Sequence, residues 1–71
     1  MILHTLADWG NMIKDVRKSQ KLTQEDLAGL SGVASRFIVE LEKGKPTLQI
    51  GKVLKVSQSL GIGISVEKKW N

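Results

Sequence analysis

The residues whose types and spacing could do chemistry lie in one stretch, LTQEDLAGLSGVASRFIVELEKGK, from Leu22 to Lys45. Thr23, Gln24, Glu25 and Asp26 head one helical segment, and Arg36, Glu40 and Lys43 recur along the next. That chemistry is reversible hydrogen bonding and charge pairing, not bond making. The chain has no Cys, no Tyr and one His, offers no glycine loop that would cradle a phosphate, and at 71 residues has little room for a ligand pocket. No enzyme activity, cofactor, metal site or small-molecule substrate is expected. His4 stands without a Cys, Asp or Ser arrangement around it and reads as a terminal surface residue.

Helices must position these groups. Thr5 caps a first helix, with Asp8 three residues on, and Leu6, Trp9, Ile13 and Val16 recur at helical spacing to about Gln20. Thr23 caps a second, whose Glu25 and Asp26 suit the helix dipole and whose Leu27, Ala28 and Leu30 supply an apolar face ending at Ser31-Gly32. SRFIVELEK forms a third, stopped by Gly44. Lys45-Pro46 is a loop, and Thr47 caps a fourth helix with an apolar stripe of Ile50, Val53, Leu54 and Leu60 and with Lys52 and Lys55 toward solvent.

After Leu60 the period changes to alternation, and Ile62, Ile64 and Val66 share one face of a strand. One strand cannot satisfy its own backbone groups, so its natural partner is the same segment of a second copy, with Met1-Ile2-Leu3 a weaker candidate to join the sheet. The expected architecture is mainly α: a single domain over 1–71, with helices in 5–61, a dimerising strand in 62–67 and a tail in 68–71. A chain this short buries only about 60% of its unfolded surface, and without Cys or metal ligands self-association is the remaining source of stability. A homodimer is expected.

Eleven Lys plus Arg against seven Asp plus Glu give a net charge of +4, a bias toward a polyanionic partner. No apolar run approaches the ~20 residues of a membrane span, and MILHTLADW lacks a positive leader region, so a cytoplasmic protein is expected.

At about 100° per residue, the third helix places Ala34, Ile38, Leu41 and Glu42 on one side and Arg36, Glu40 and Lys43 on the other, with Phe37 and Val39 on the flanks. Two short helices joined by so tight a turn, the second with a polar outer face, have the geometry of a helix-turn-helix that reads duplex DNA. Thr23 and Gln24 then bring an amide and free N–H groups to a helix N-terminus, where a phosphate would bind.

LTQEDLA, SGV, ELEKGK and VLKVSQSLGI together resemble the lambda-repressor-like, XRE-type helix-turn-helix family from Gly10 to about Gly61. Within it, SRFIVELEKGKPT followed by KVLKV looks most like the HipB-like antitoxins. The resemblance implies a four-helix domain that dimerises through a C-terminal strand, represses its own operon at double-stranded operator DNA and binds a HipA-type Ser/Thr kinase toxin. It also implies that Gln24 contacts phosphate and braces the third helix, that Ser35, Arg36 and Glu40 face bases, and that Lys45 contacts the backbone. Arg36 suits a guanine and Phe37 a thymine methyl. Arg17 and Glu42, both on inward-leaning positions, are paired by the resemblance as a structural bridge. The chain departs from the pattern at Ala34, where Ser or Thr often caps the third helix, and Ser35 is the candidate to take over that role.

Plainer readings stand beside these. Arg36 and Glu40 are four apart and can simply pair on a solvated face. Lys14, Lys18 and Lys21 track phosphates or only solvate a helix end, and Trp9 is core. Trp70 lies past the strand. In some HipB-like antitoxins a C-terminal Trp docks on the kinase, and the alternative here is folding back onto the chain's own dimer. A free-standing repressor without a toxin partner is the alternative function.

Overall fold

The computed structural model describes residues 5–46 and 49–63. Four helices follow one another: α1 (Leu6–Ser19), α2 (Gln24–Ser31), α3 (Ser35–Glu42) and α4 (Ile50–Ser59). Two of them begin with complete capping boxes. Thr5 Oγ1 accepts from the Asp8 N–H at 3.1 Å and Asp8 Oδ2 accepts from the Thr5 N–H at 3.2 Å. Thr23 and Asp26 repeat the exchange at 3.0 and 2.9 Å. Each box satisfies two otherwise orphaned donors and fixes where its helix starts.

The core is Ile13, Leu27, Ala28, Ile38, Leu41, Val53, Val56 and Leu60, drawn from α1, α2, α3 and α4 with its C-cap. α3 packs against both α1 and α2, and α2 also packs against α4. Trp9 leans on this core and donates its indole N–H to Ser57 Oγ at 3.0 Å, and Ser57 in turn donates to the Val53 carbonyl at 2.9 Å. The half-buried indole thereby has both its apolar body and its polar tip accommodated.

Two glycines permit the close approach of α1 to the end of α3. A Cβ at Gly10 would collide with the Leu41 carbonyl oxygen. Gly44 ends α3 at φ 76°, and a Cβ there would stand 2.6 Å from Ala7 Cα. Lys21, at φ 59°, takes the same left-handed position after α1 without being glycine.

Several expectations are corrected. Leu30 is 63% exposed, because in α2 the buried positions are Leu27, Ala28 and Ser31, whose mean direction lies about 100° of helix rotation away from Leu30. Ile50 is 56% exposed: the buried stripe of α4 runs through Val53, Val56, Ser57 and Leu60. Gln49, at φ −90° and ψ 58°, is the N-cap of α4, so the helix starts later than a cap at Thr47 requires; Thr47 itself lies outside the described residues. Ser35 does not replace the missing cap, because it is already the first helical residue and α3 has no side-chain cap bond.

There is no strand among the described residues. The Ile62 N–H donates to the Ser57 carbonyl at 3.0 Å and its side chain packs on the core, so this residue helps to close α4, and the remainder of the expected strand over 64–67 lies outside the described residues. Ile64, Val66 and Trp70 lie outside the described residues. Among those described, no helix is long and apolar enough to cross a membrane, and no His, Cys, Asp and Glu cluster could hold a metal ion.

Candidate nucleic-acid interface

One carboxylate joins three helices. Glu42, at the end of α3, accepts from Arg17 Nε at 2.7 Å and from Arg17 Nη2 at 2.9 Å, in a two-pronged pair buried on both sides. Arg17 Nη1 also donates to the Leu22 carbonyl at 2.8 Å. Hydrogen bonding to Glu42 raises the Arg17 pKa above its already high ordinary value, so the guanidinium stays charged. Gln24 Nε2, from the head of α2, donates to Glu42 Oε1 at 3.2 Å. The first turn of α2 is therefore tied to the last turn of α3 through an anchor on α1. An amide nitrogen carries two protons, so Gln24 keeps one N–H for an outside acceptor.

The head of α2 is half committed. Thr23 and Asp26 satisfy each other, which leaves the Gln24 and Glu25 N–H groups as the open donors of that turn. Bonds from the Thr23 backbone and then from its hydroxyl hold the Asp26 carboxyl below the usual carboxylate range.

The outer face of α3 gathers Arg36, Glu40, Lys43 and Lys45 with Val39 around one shallow groove. Arg36 Nε pairs with Glu40 Oε1 at 3.1 Å, and Lys45 Nζ approaches the same oxygen at 3.4 Å. The Arg36 side chain is 85% exposed, so this pairing is the solvated one that its spacing allows. Arg36 first, and Lys45 by charge, depress the Glu40 pKa. The carboxylate thus gathers two cations, and because the pairing is solvated Arg36 can exchange it for another acceptor at little cost.

Ser35 is exposed at the first helical position, next to Arg36. Phe37 is half-buried against the core, and Lys52 Nζ sits over its ring at 5.8 Å from the centroid, so a lysine covers a face expected to be open. Val39 and Lys52 are legible in the sequence only as a flank and a solvated lysine; packing brings Val39 into the groove and Lys52 over the Phe37 ring.

A helix-turn-helix family pattern matches residues 13–66, most of the chain. The chain belongs to the XRE-type helix-turn-helix family. Its members are DNA-binding transcriptional regulators, and this helix-turn-helix protein is one of them. It is 56% identical over 64 residues to the uncharacterized HTH-type transcriptional regulator y4mF of Sinorhizobium fredii, covering 90% of this chain and 84% of that one. It is similar to the restriction-modification controller protein C.AhdI from Aeromonas hydrophila at 29% identity and a TM-score of 0.73, over 82% of this chain and 88% of that one. A chain of the HipA-HipB-O2-O3 complex shares the fold at a TM-score of 0.85 over 99% of both chains, with 21% identity. The helix-turn-helix is thus common to all three comparisons, and the last extends over nearly the whole chain.

Proposed function

We propose that this regulator is a homodimeric repressor that lays α3 in the major groove of an operator, and that it serves as a HipB-like antitoxin to a HipA-like Ser/Thr kinase toxin. The observation that carries the DNA-binding mode is the Gln24–Glu42–Arg17 junction. It fixes the head of α2 against α3 from behind while leaving Arg36, Glu40, Lys43 and Lys45 outward. In this mode Thr23 and Gln24 meet phosphate, Ser35 and Arg36 reach base edges, and Glu40 orients Arg36. Phe37 flanks the reading face, and Lys43 and Lys45 contact the backbone.

The antitoxin role is supported by the extent of the fold likeness to a chain of the HipA-HipB-O2-O3 complex. Ile62, Ile64 and Val66 are the residues assigned to dimerisation and Trp70 to toxin docking. The alternative, a free-standing regulator, is favoured by the higher identity to C.AhdI.

Selection of bound duplexes from a randomised pool tests the DNA reading: two half-sites about 34–36 Å apart are expected, and a pool without enrichment overturns it. Capture of the tagged chain from its native cells tests the antitoxin reading. A stoichiometric kinase-like protein is expected, with retention lost when residues 69–71 are removed; a homodimer that retains only DNA favours the free-standing regulator.

A further inference from the structure

Lys52 and Lys55 of α4 are exposed, and among the described residues neither belongs to an ion pair. Both nonetheless turn back toward the helix-turn-helix. Lys52 Nζ stands over Phe37, which lies in the first turn of α3. Lys55 Nζ stands beside the turn between α2 and α3: a Cβ built on Gly32 would be 3.2 Å from it. Two ammonium groups, one helical turn apart on α4, therefore flank the N-terminal end of α3.

That end is already electropositive. Ala34 supplies no side-chain cap, which leaves the Ser35 and Arg36 N–H groups as the open donors of that turn, and the helix dipole places partial positive charge there. The other end of α3 has its own cations in Lys43 and Lys45. A recognition helix in the major groove runs between two rows of phosphates, and charge at both of its ends matches them.

We propose that Lys52 and Lys55 form a second phosphate-binding edge on α4, holding the first turn of α3 against the DNA backbone on the side opposite Lys43 and Lys45, with Phe37 positioning Lys52. This rests on the DNA-binding mode proposed above. It makes α4 a direct contributor to affinity but not to sequence preference, because phosphate contacts carry no base information.

The test is the salt dependence of binding to the duplex selected by the wild-type chain and to a mixed-sequence duplex, for Lys52→Gln, Lys55→Gln and Lys52→Arg. Thermal midpoints check that each variant is folded. Each Gln variant should lower the slope of log affinity against log salt by about 0.9 and weaken both duplexes in the same proportion, while Lys52→Arg keeps the wild-type slope. In a Phe37→Leu background, Lys52→Gln should change the slope less than it does alone. Slopes equal to wild type in folded Gln variants overturn the second edge and leave the DNA-binding mode standing. A wild-type chain whose binding has no salt dependence overturns both.

Discussion

Glu42 is the residue on which the arrangement of α1, α2 and α3 depends. Its carboxylate is buried with Arg17 and shared with Gln24, so it settles at once the fold of α1 against α3 and the pose of the α2 head. Removing one partner of a buried pair strands the other, at about 3–5 kcal/mol. Glu42→Ala is expected to lose that much in urea unfolding, and Gln24→Ala, which leaves the pair intact, about 1 kcal/mol or less. Equal small losses would show that the pair is not desolvated. The exposed carboxylates behave differently. Asp26 and Glu40 have folded pKa values below their ordinary ones, so their contribution is fully present above the ordinary range near about 4 and is lost as pH falls through the lower folded values. The thermal midpoint should fall gently across that window, and Asp26→Asn should flatten the fall; a midpoint that rises on acidification would contradict the assignment.

At the scale of elements, the starts of α1 and α2 were legible because a capping box is a local exchange written in residues three apart. The faces were less so. In helices of eight and ten residues, a single turn of mispositioned apolar side chain goes unnoticed, which is how Leu30 and Ile50 read as core and proved exposed. The C-terminal alternation lies mostly outside the described residues, and where it begins the Ile62 N–H is bonded to the Ser57 carbonyl. Gly10 was illegible for the opposite reason: a lone helical glycine is ordinarily only a propensity cost, and its need arises from the Leu41 carbonyl across the α1–α3 contact. Gly10→Ala should therefore destabilise by several times the roughly 1 kcal/mol that alanine gains over glycine in a helix, because backbone meets Cβ and one helix must move. Lys21→Gly should do the reverse: relieving a left-handed Lys raises stability by about 0.5–1 kcal/mol, measurable as a higher urea midpoint at unchanged slope. A destabilised Lys21→Gly chain would mean that the Lys21 side chain contributes more than its backbone costs.

At the scale of the molecule, a small core, a net charge of +4 and two short helices locked together leave one polar helix face exposed. In the DNA-binding mode proposed above, the core and the Arg17–Glu42 anchor hold the angle, lysines supply attraction that ignores sequence, and Arg36 discriminates. Its pairing with Glu40 is solvated, so in that mode it can be exchanged for a guanine edge. The most direct measurement is the affinity of wild-type chain and Arg36→Ala for the selected duplex and for mixed-sequence DNA at one salt concentration. The account predicts that Arg36→Ala loses about 1–3 kcal/mol of the preference between the two while its thermal midpoint is unchanged. An undiminished preference would contradict the placement of α3 as the base-reading helix.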